Sequence, residues 1–187
     1  MRLTLLAASA LLALAFPAEA QTPAPAPATP PPAAVSPAPA DVATPEAIVA
    51  ALYQVISGDR GVARTWDRFR SLFHPSGRLM PTGLDAQGTG VLRILTPEDY
   101  VTRAGPTLER DGFHEREIAQ RMERYGAIAH VFTTYESLRS LSDPAPFARG
   151  INSIQLFHDG TRWWIISVYW QSETPQIPLP AEYLPVP

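Results

Sequence analysis

The sequence predicts an α+β domain, and three observations carry that prediction. Two segments upstream of residue 100 open with the same helix-start signature, Thr44-Pro45-Glu46 and Thr96-Pro97-Glu98-Asp99. Thr is a good N-cap, Pro suits the first helical turn, and acids suit the positive end of the helix. Two runs in the second half, 125–138 and 150–173, carry nearly all of the patterned hydrophobicity. Within the second run, Asp159-Gly160 separates Ile151–His158 from Arg162–Trp170, both rich in β-branched and aromatic residues. Asp-Gly between such runs is a strong hairpin signal, because a tight turn needs positive φ at its centre.

The chain divides by composition. Residues 1–20 have a basic start (Arg2), an apolar run from Leu3 to Phe16 and the small-residue end Ala18-Glu19-Ala20, the pattern of a secretory signal cleaved after Ala20. The apolar run falls short of the ~20 residues a membrane span needs. Residues 21–43 are almost pure Pro and Ala, a Pro/Ala-rich disordered spacer of polyproline type. Residues 44–173 form one domain, and 174–187 form a Pro-rich C-terminal arm. That arm keeps Ile177, Leu179, Tyr183 and Leu184, so it is expected to pack on the domain. The expected location is periplasmic or secreted, with no membrane span after signal cleavage.

Composition excludes several chemistries. The formal net charge is −3, against the concentrated basic face that nucleic acid requires. All 15 basic residues are Arg, which removes Lys Schiff-base chemistry. Without Cys there are no disulfides, thiol nucleophiles or Cys-ligated clusters. The four His show neither HxH nor HExxH spacing, so neither a metal nor a cofactor is expected. Gly88-Thr89-Gly90 lacks the Lys and the helix start of a phosphate loop.

Element by element, Ile48, Leu52, Val55 and Ile56 form the inner stripe of a first helix that Gly58 closes. A second helix, Thr65 to Phe73, carries Trp66, Phe69 and Phe73 on one side and stops at His74-Pro75. Gly77–Leu84 and Val91–Leu95 read as a hairpin around 85–90. The third helix starts at Thr96 and is expected to break at Gly105-Pro106. Residues 113–124 (FHEREIAQRMER) favour helix by propensity, yet their charges separate cleanly with neither period. Residues 127–138 have two mostly apolar faces, as in a strand covered on both sides. Ser140–Phe147 reads as a loop.

This order of elements resembles the NTF2-like superfamily, the cone-shaped fold of SnoaL-type proteins and ketosteroid isomerases. The resemblance rests on Ile128–Glu136 (IAHVFTTYE), Gly150–Leu156 (GINSIQL) and Trp163–Trp170. Trp66–Phe69 (WDRF), Gly112–Glu115 (GFHE) and Ile177–Pro185 add to it, so that it covers about 44–187. It implies three N-terminal helices packed on a strongly curved antiparallel sheet, with a conical pocket between them. It also tips 113–124 towards strand.

A carboxylate in such a pocket is a candidate general base, and a phenol a candidate donor. Glu136 and Tyr135 are therefore the catalytic candidates, although adjacent strand residues face opposite sides and only one of them can point inward. The alternatives are a solvated or interface-paired Glu136 and a core Tyr135 bonded to backbone. Trp66, His114, His130, Asn152, Gln155 and Trp170 are the ligand-binding candidates, with Asn152 and Gln155 again of opposite parity. Since no acid/base pair can be fixed to one face, the leading expectation is binding of a small hydrophobic or aromatic ligand without catalysis. The alternatives are a SnoaL-type isomerase, dehydratase or hydrolase, and a structural or protein-interaction module of the cell envelope. A homodimer through the outer face of the sheet is expected.

Overall fold

The structure is a computed structural model that describes residues 36–185; the expected signal, 1–20, and residues 21–35 of the spacer lie outside them. Helices α1 (Pro45–Ile56), α2 (Trp66–Leu72) and α3 (Pro97–Asp111) accompany strands β1 (Phe73–Leu84), β2 (Gly90–Leu92), β3 (His114–Tyr125), β4 (Ile128–Leu138), β5 (Ala148–His158) and β6 (Trp163–Ser172). No helix among the described residues is long and apolar enough to cross a membrane.

The helix caps form as their residues dictate. The Thr44 hydroxyl accepts from the Ala47 N–H, and Thr96 and Asp99 make a reciprocal capping box. α3 does not break at Pro106, as expected from the sequence, but runs on to Asp111. A proline removes only one donor, and the face of α3 bearing Val101, Gly105 and Leu108 is buried, which holds the helix together across the gap. Gly105 serves that packing, since a Cβ there would lie 3.2 Å from the Trp66 indole.

The six strands form one curved, unclosed sheet in the order β2-β1-β6-β5-β4-β3. The sheet is mixed rather than wholly antiparallel, because β1 and β6 run parallel, with Arg78 opposite Ser167 and Thr82 opposite Gln171. Every other pairing is antiparallel. Residues 113–124 are strand, against their helical propensity. β3 pairs with β4 along its whole length, which outweighs a propensity difference of tenths of a kcal/mol per residue. Its register slips at Ile118, between the pairs Glu117–Tyr135 and Ala119–Thr134.

The core lies between the helices and the inner face of the sheet. Ile48, Leu52, Phe69 and Leu72 meet Val131, Ile154, Trp163 and Ile165 there. The described end of the stretch read as spacer is structured: Pro39–Val42 is a 3-10 turn with Val42 buried, and Asp41 takes a bidentate pair from Arg68 at 2.7 and 2.9 Å. The C-terminal arm lies on the outer face. The Thr134 hydroxyl donates to the Tyr183 carbonyl at 2.6 Å, and the Tyr183 ring packs 5.1 Å from Phe132 and under Arg121.

Candidate active site

A cavity of about 240 Å³ opens between the helices and the concave side of the sheet. α1 supplies Leu52 and Ile56, α2 Phe69, and α3 Tyr100 and Leu108, while β1 adds Leu79 and β6 Val168 and Trp170. The polar groups are few and convergent: Glu115, Tyr135, Ser137, Asn152 and Ser172 from the sheet and Tyr100 from α3. This composition is typical of a small-molecule site.

Glu115 is the chemically loaded member. Burial pushes its carboxyl up to about 7, against the Ser137 hydroxyl, which donates to Oε2 at 2.9 Å, and the nearby Asn152 amide, which both favour the anion. At neutral pH both protonation states are therefore populated, as a group that takes and returns a proton requires. Glu115 keeps some accessible surface because it lines this cavity and a second one beneath α1.

Two phenols share its surroundings. Removal from water raises Tyr100, as do the neighbouring Glu115 and Tyr135, and its hydroxyl, at the cavity wall, makes no hydrogen bond to another described residue. Tyr135 is pushed up to about 12, mainly by burial and further by Glu115; its hydroxyl shares a 3.0 Å hydrogen bond with Ser172. Both therefore stay protonated at neutral pH and can donate.

The structure separates the residues singled out from the sequence. Tyr135, Asn152 and Trp170 line the cavity. Glu136 lies on the opposite face of β4, where Arg116 donates to it at 2.6 Å from Nε. Gln155 is exposed, and His130 across from it bonds Ser153 at 3.0 Å, on the outer face. His114 sits at the second cavity with Nε2 2.8 Å from Asp59, and Trp66 packs edge-on against Phe69 and beside Gly105. Glu115 and Tyr100 were not singled out. Glu115 was visible only as part of the Gly112–Glu115 motif, and Tyr100 as one more residue of a capped helical turn. Among the described residues no group of three or more His, Cys, Asp or Glu is placed to hold a metal.

Comparison with solved structures finds similar architectures. A candidate calcium/calmodulin-dependent protein kinase type II association domain from Thiobacillus denitrificans matches at 12% identity and a TM-score of 0.52, over 75% of this chain and 98% of that one. A protein of unknown function with a cystatin-like fold from Nostoc punctiforme matches at 12% identity and a TM-score of 0.51, over 71% and 90%. An NTF2-like protein of unknown function from Methylobacillus flagellatus matches at 9% identity and a TM-score of 0.47, over 68% and 87%. The fold is shared with the first two of these, helices with a curved, unclosed mixed sheet, the α+β form expected of an NTF2-like domain. No family model matches the sequence, and no curated protein does. At these identities the NTF2-like assignment concerns architecture alone, so the chemistry must be argued from the cavity. In this NTF2-like cone, helices and sheet enclose a single carboxylate among phenols, hydroxyls and one amide.

Proposed function

We propose that this domain is an acid–base enzyme, an isomerase or dehydratase acting on a small, largely apolar carbonyl compound. The observation that carries the reading is the placement of Glu115, poised near neutrality, in the same apolar cavity as the unpartnered Tyr100 hydroxyl. Glu115 takes a proton from the carbon next to the carbonyl, and the bond electrons move onto the carbonyl oxygen as an enolate. A phenol O–H donates to that oxygen as its charge develops. Returning the proton to a different carbon is isomerisation; delivering it to a departing β-hydroxyl, which leaves as water, is dehydration. A cavity of about 240 Å³ lies below the ~300–1,000 Å³ of most ligand pockets, which favours a monocyclic or short-chain substrate.

This reading replaces simple ligand binding as the preferred one, because an acid–base set on one face is now at hand in residues other than Glu136. The site is taken to act outside the cytoplasm, on the strength of residues 1–20 alone.

The test is deuterium uptake next to the carbonyl of cyclohexanone and a panel of small enones in D2O, followed by NMR. The protein should accelerate exchange, and Glu115→Gln should reduce it about 100-fold or more. Exchange by Glu115→Gln at the wild-type rate would refute the assignment. Binding of the same probes without exchange would make the domain a ligand carrier.

A further inference from the structure

A line of hydrogen bonds runs from the cavity through the core to a second carboxylate. The Asn152 amide donates to the Tyr53 hydroxyl at 3.0 Å, and that hydroxyl lies 3.2 Å from Thr133 Oγ1. Thr133 Oγ1 in turn donates to Glu117 Oε2 at 2.6 Å. Tyr53, Thr133 and Asn152 are 6%, 0% and 5% exposed, so these hydrogen bonds lie in the protein interior. Glu117 is half-buried and faces the second cavity, about 530 Å³ between α1 and β3, with Val49, Gln54 and Gln120 among its other walls.

The direction of this line is fixed from its far end. An ionised carboxylate can only accept, so the single Thr133 proton points at Glu117. Thr133 must then accept from Tyr53, and Tyr53, having spent its proton, must accept from Asn152. The amide is thereby held with its NH2 on Tyr53, at the wall of the cavity that it shares with Glu115. Were Glu117 neutral or absent, Thr133 could donate to Tyr53 and Tyr53 to Asn152. The amide could then turn its oxygen towards Glu115 and withdraw a donor from the anion.

We propose that Glu117 is a remote positioning residue for Glu115, acting through Thr133, Tyr53 and Asn152 to keep the amide donor aimed at the active-site carboxylate. This deepens the proposed acid–base reading, since it assigns the group that sets the orientation around Glu115. The ionisable groups facing Glu115 are Tyr53 from α1, Tyr100 from α3, Tyr135 from β4 and Glu117 on its own strand.

The sign of one measurement separates this role from plain charge repulsion. Removing the negative charge of Glu117 would, through Coulomb's law alone, make Glu115 easier to ionise. Loss of the donor would make it harder. In the full chain carrying 13C-labelled Glu, with the Glu115 resonance assigned from Glu115→Gln, we expect Glu117→Leu to raise the Glu115 midpoint by roughly half a pH unit or more. Tyr53→Phe keeps the ring and every carboxylate but cuts the line, and should raise it similarly. The two together should add little beyond either one. An unchanged or lowered midpoint in Tyr53→Phe, or a lowered one in Glu117→Leu, overturns the proposal. The titration needs no turnover, so its outcome stands apart from that of the exchange assay.

Discussion

Gly150 and Tyr135 stand opposite each other on β5 and β4, and a Cβ on Gly150 would lie 2.5 Å from the Tyr135 hydroxyl. It would also press on the backbone carbonyl of Gln171. The glycine is thus the space through which the Tyr135 hydroxyl reaches Ser172. Gly150→Ala should cost about 1–3 kcal/mol by overpacking, read by chemical denaturation, and should slow exchange by displacing the phenol. An unchanged denaturation midpoint would show that β5 yields at this point.

Tyr100 should behave in the opposite way. Its hydroxyl borders the cavity and bonds no other described residue, so Tyr100→Phe strands no buried group. Stability is expected to stay within about 0.5 kcal/mol while exchange falls at least tenfold. A variant with full exchange activity would take Tyr100 out of the chemistry and leave Tyr135 as the donor.

Glu115 imposes a pH dependence on stability. In the unfolded chain its proton is lost near the ordinary value of 4.5, whereas in the folded protein burial holds it to about 7. The folded state therefore binds more protons between those values, and the contribution is fully present below 4.5 and lost by the time pH passes 7. Relative to Glu115→Gln, the wild type should lose about 3 kcal/mol across that window. Urea denaturation of both proteins at pH 4, 5.5, 7 and 8 measures the difference, and a flat difference would contradict the burial of the carboxylate.

Arg64 is 7% exposed, and its guanidinium donates to the backbone carbonyls of Ile56, Gly58, Asp59, Val62 and Leu108 rather than to any carboxylate among the described residues. It ties the end of α1 to α3, and with them Leu52, Ile56 and Tyr100 over the cavity. Arg64→Met keeps length and apolar stem but orphans those carbonyls. Thermal or chemical unfolding should show a loss of about 3 kcal/mol or more. A loss within experimental scatter would mean that water replaces the guanidinium.

Much of this architecture was legible in the residues. The Thr-Pro-Glu caps, the 150–173 hairpin and the opposite orientation of Tyr135 and Glu136 follow from local chemistry and from the period of two. The carboxylate of the site was not legible, and the bulge at Ile118 is the reason. Before it Glu115 and Glu117 face inward, opposite Ser137 and Tyr135; after it Gln120 and Met122 do, opposite Thr133 and Val131. Because parity reverses mid-strand, no single alternation fits 113–124, and the inward acids merge with the outward ones. Tyr100 escaped for a different reason. A 3.6-residue period gives the buried stripe of a helix but not which cavity its first turn overhangs. The parallel β1–β6 contact was equally hidden, because nothing local in either strand encodes a partner so distant in sequence.

That contact bears on how the chain must be made. β1 finds its long partner, β6, only about ninety residues later, and closing so large a loop precedes any gain from pairing. Val168 and Trp170, which wall the cavity, arrive on that same last strand. A growing chain that has emerged only as far as the β4–β5 loop still lacks Asn152, Val168 and Trp170, which wall the cavity together with Leu52, Phe69 and Leu79. The cavity thus comes into being only when the final strand docks, and a polypeptide released before Ser172 has Glu115 without the chamber around it.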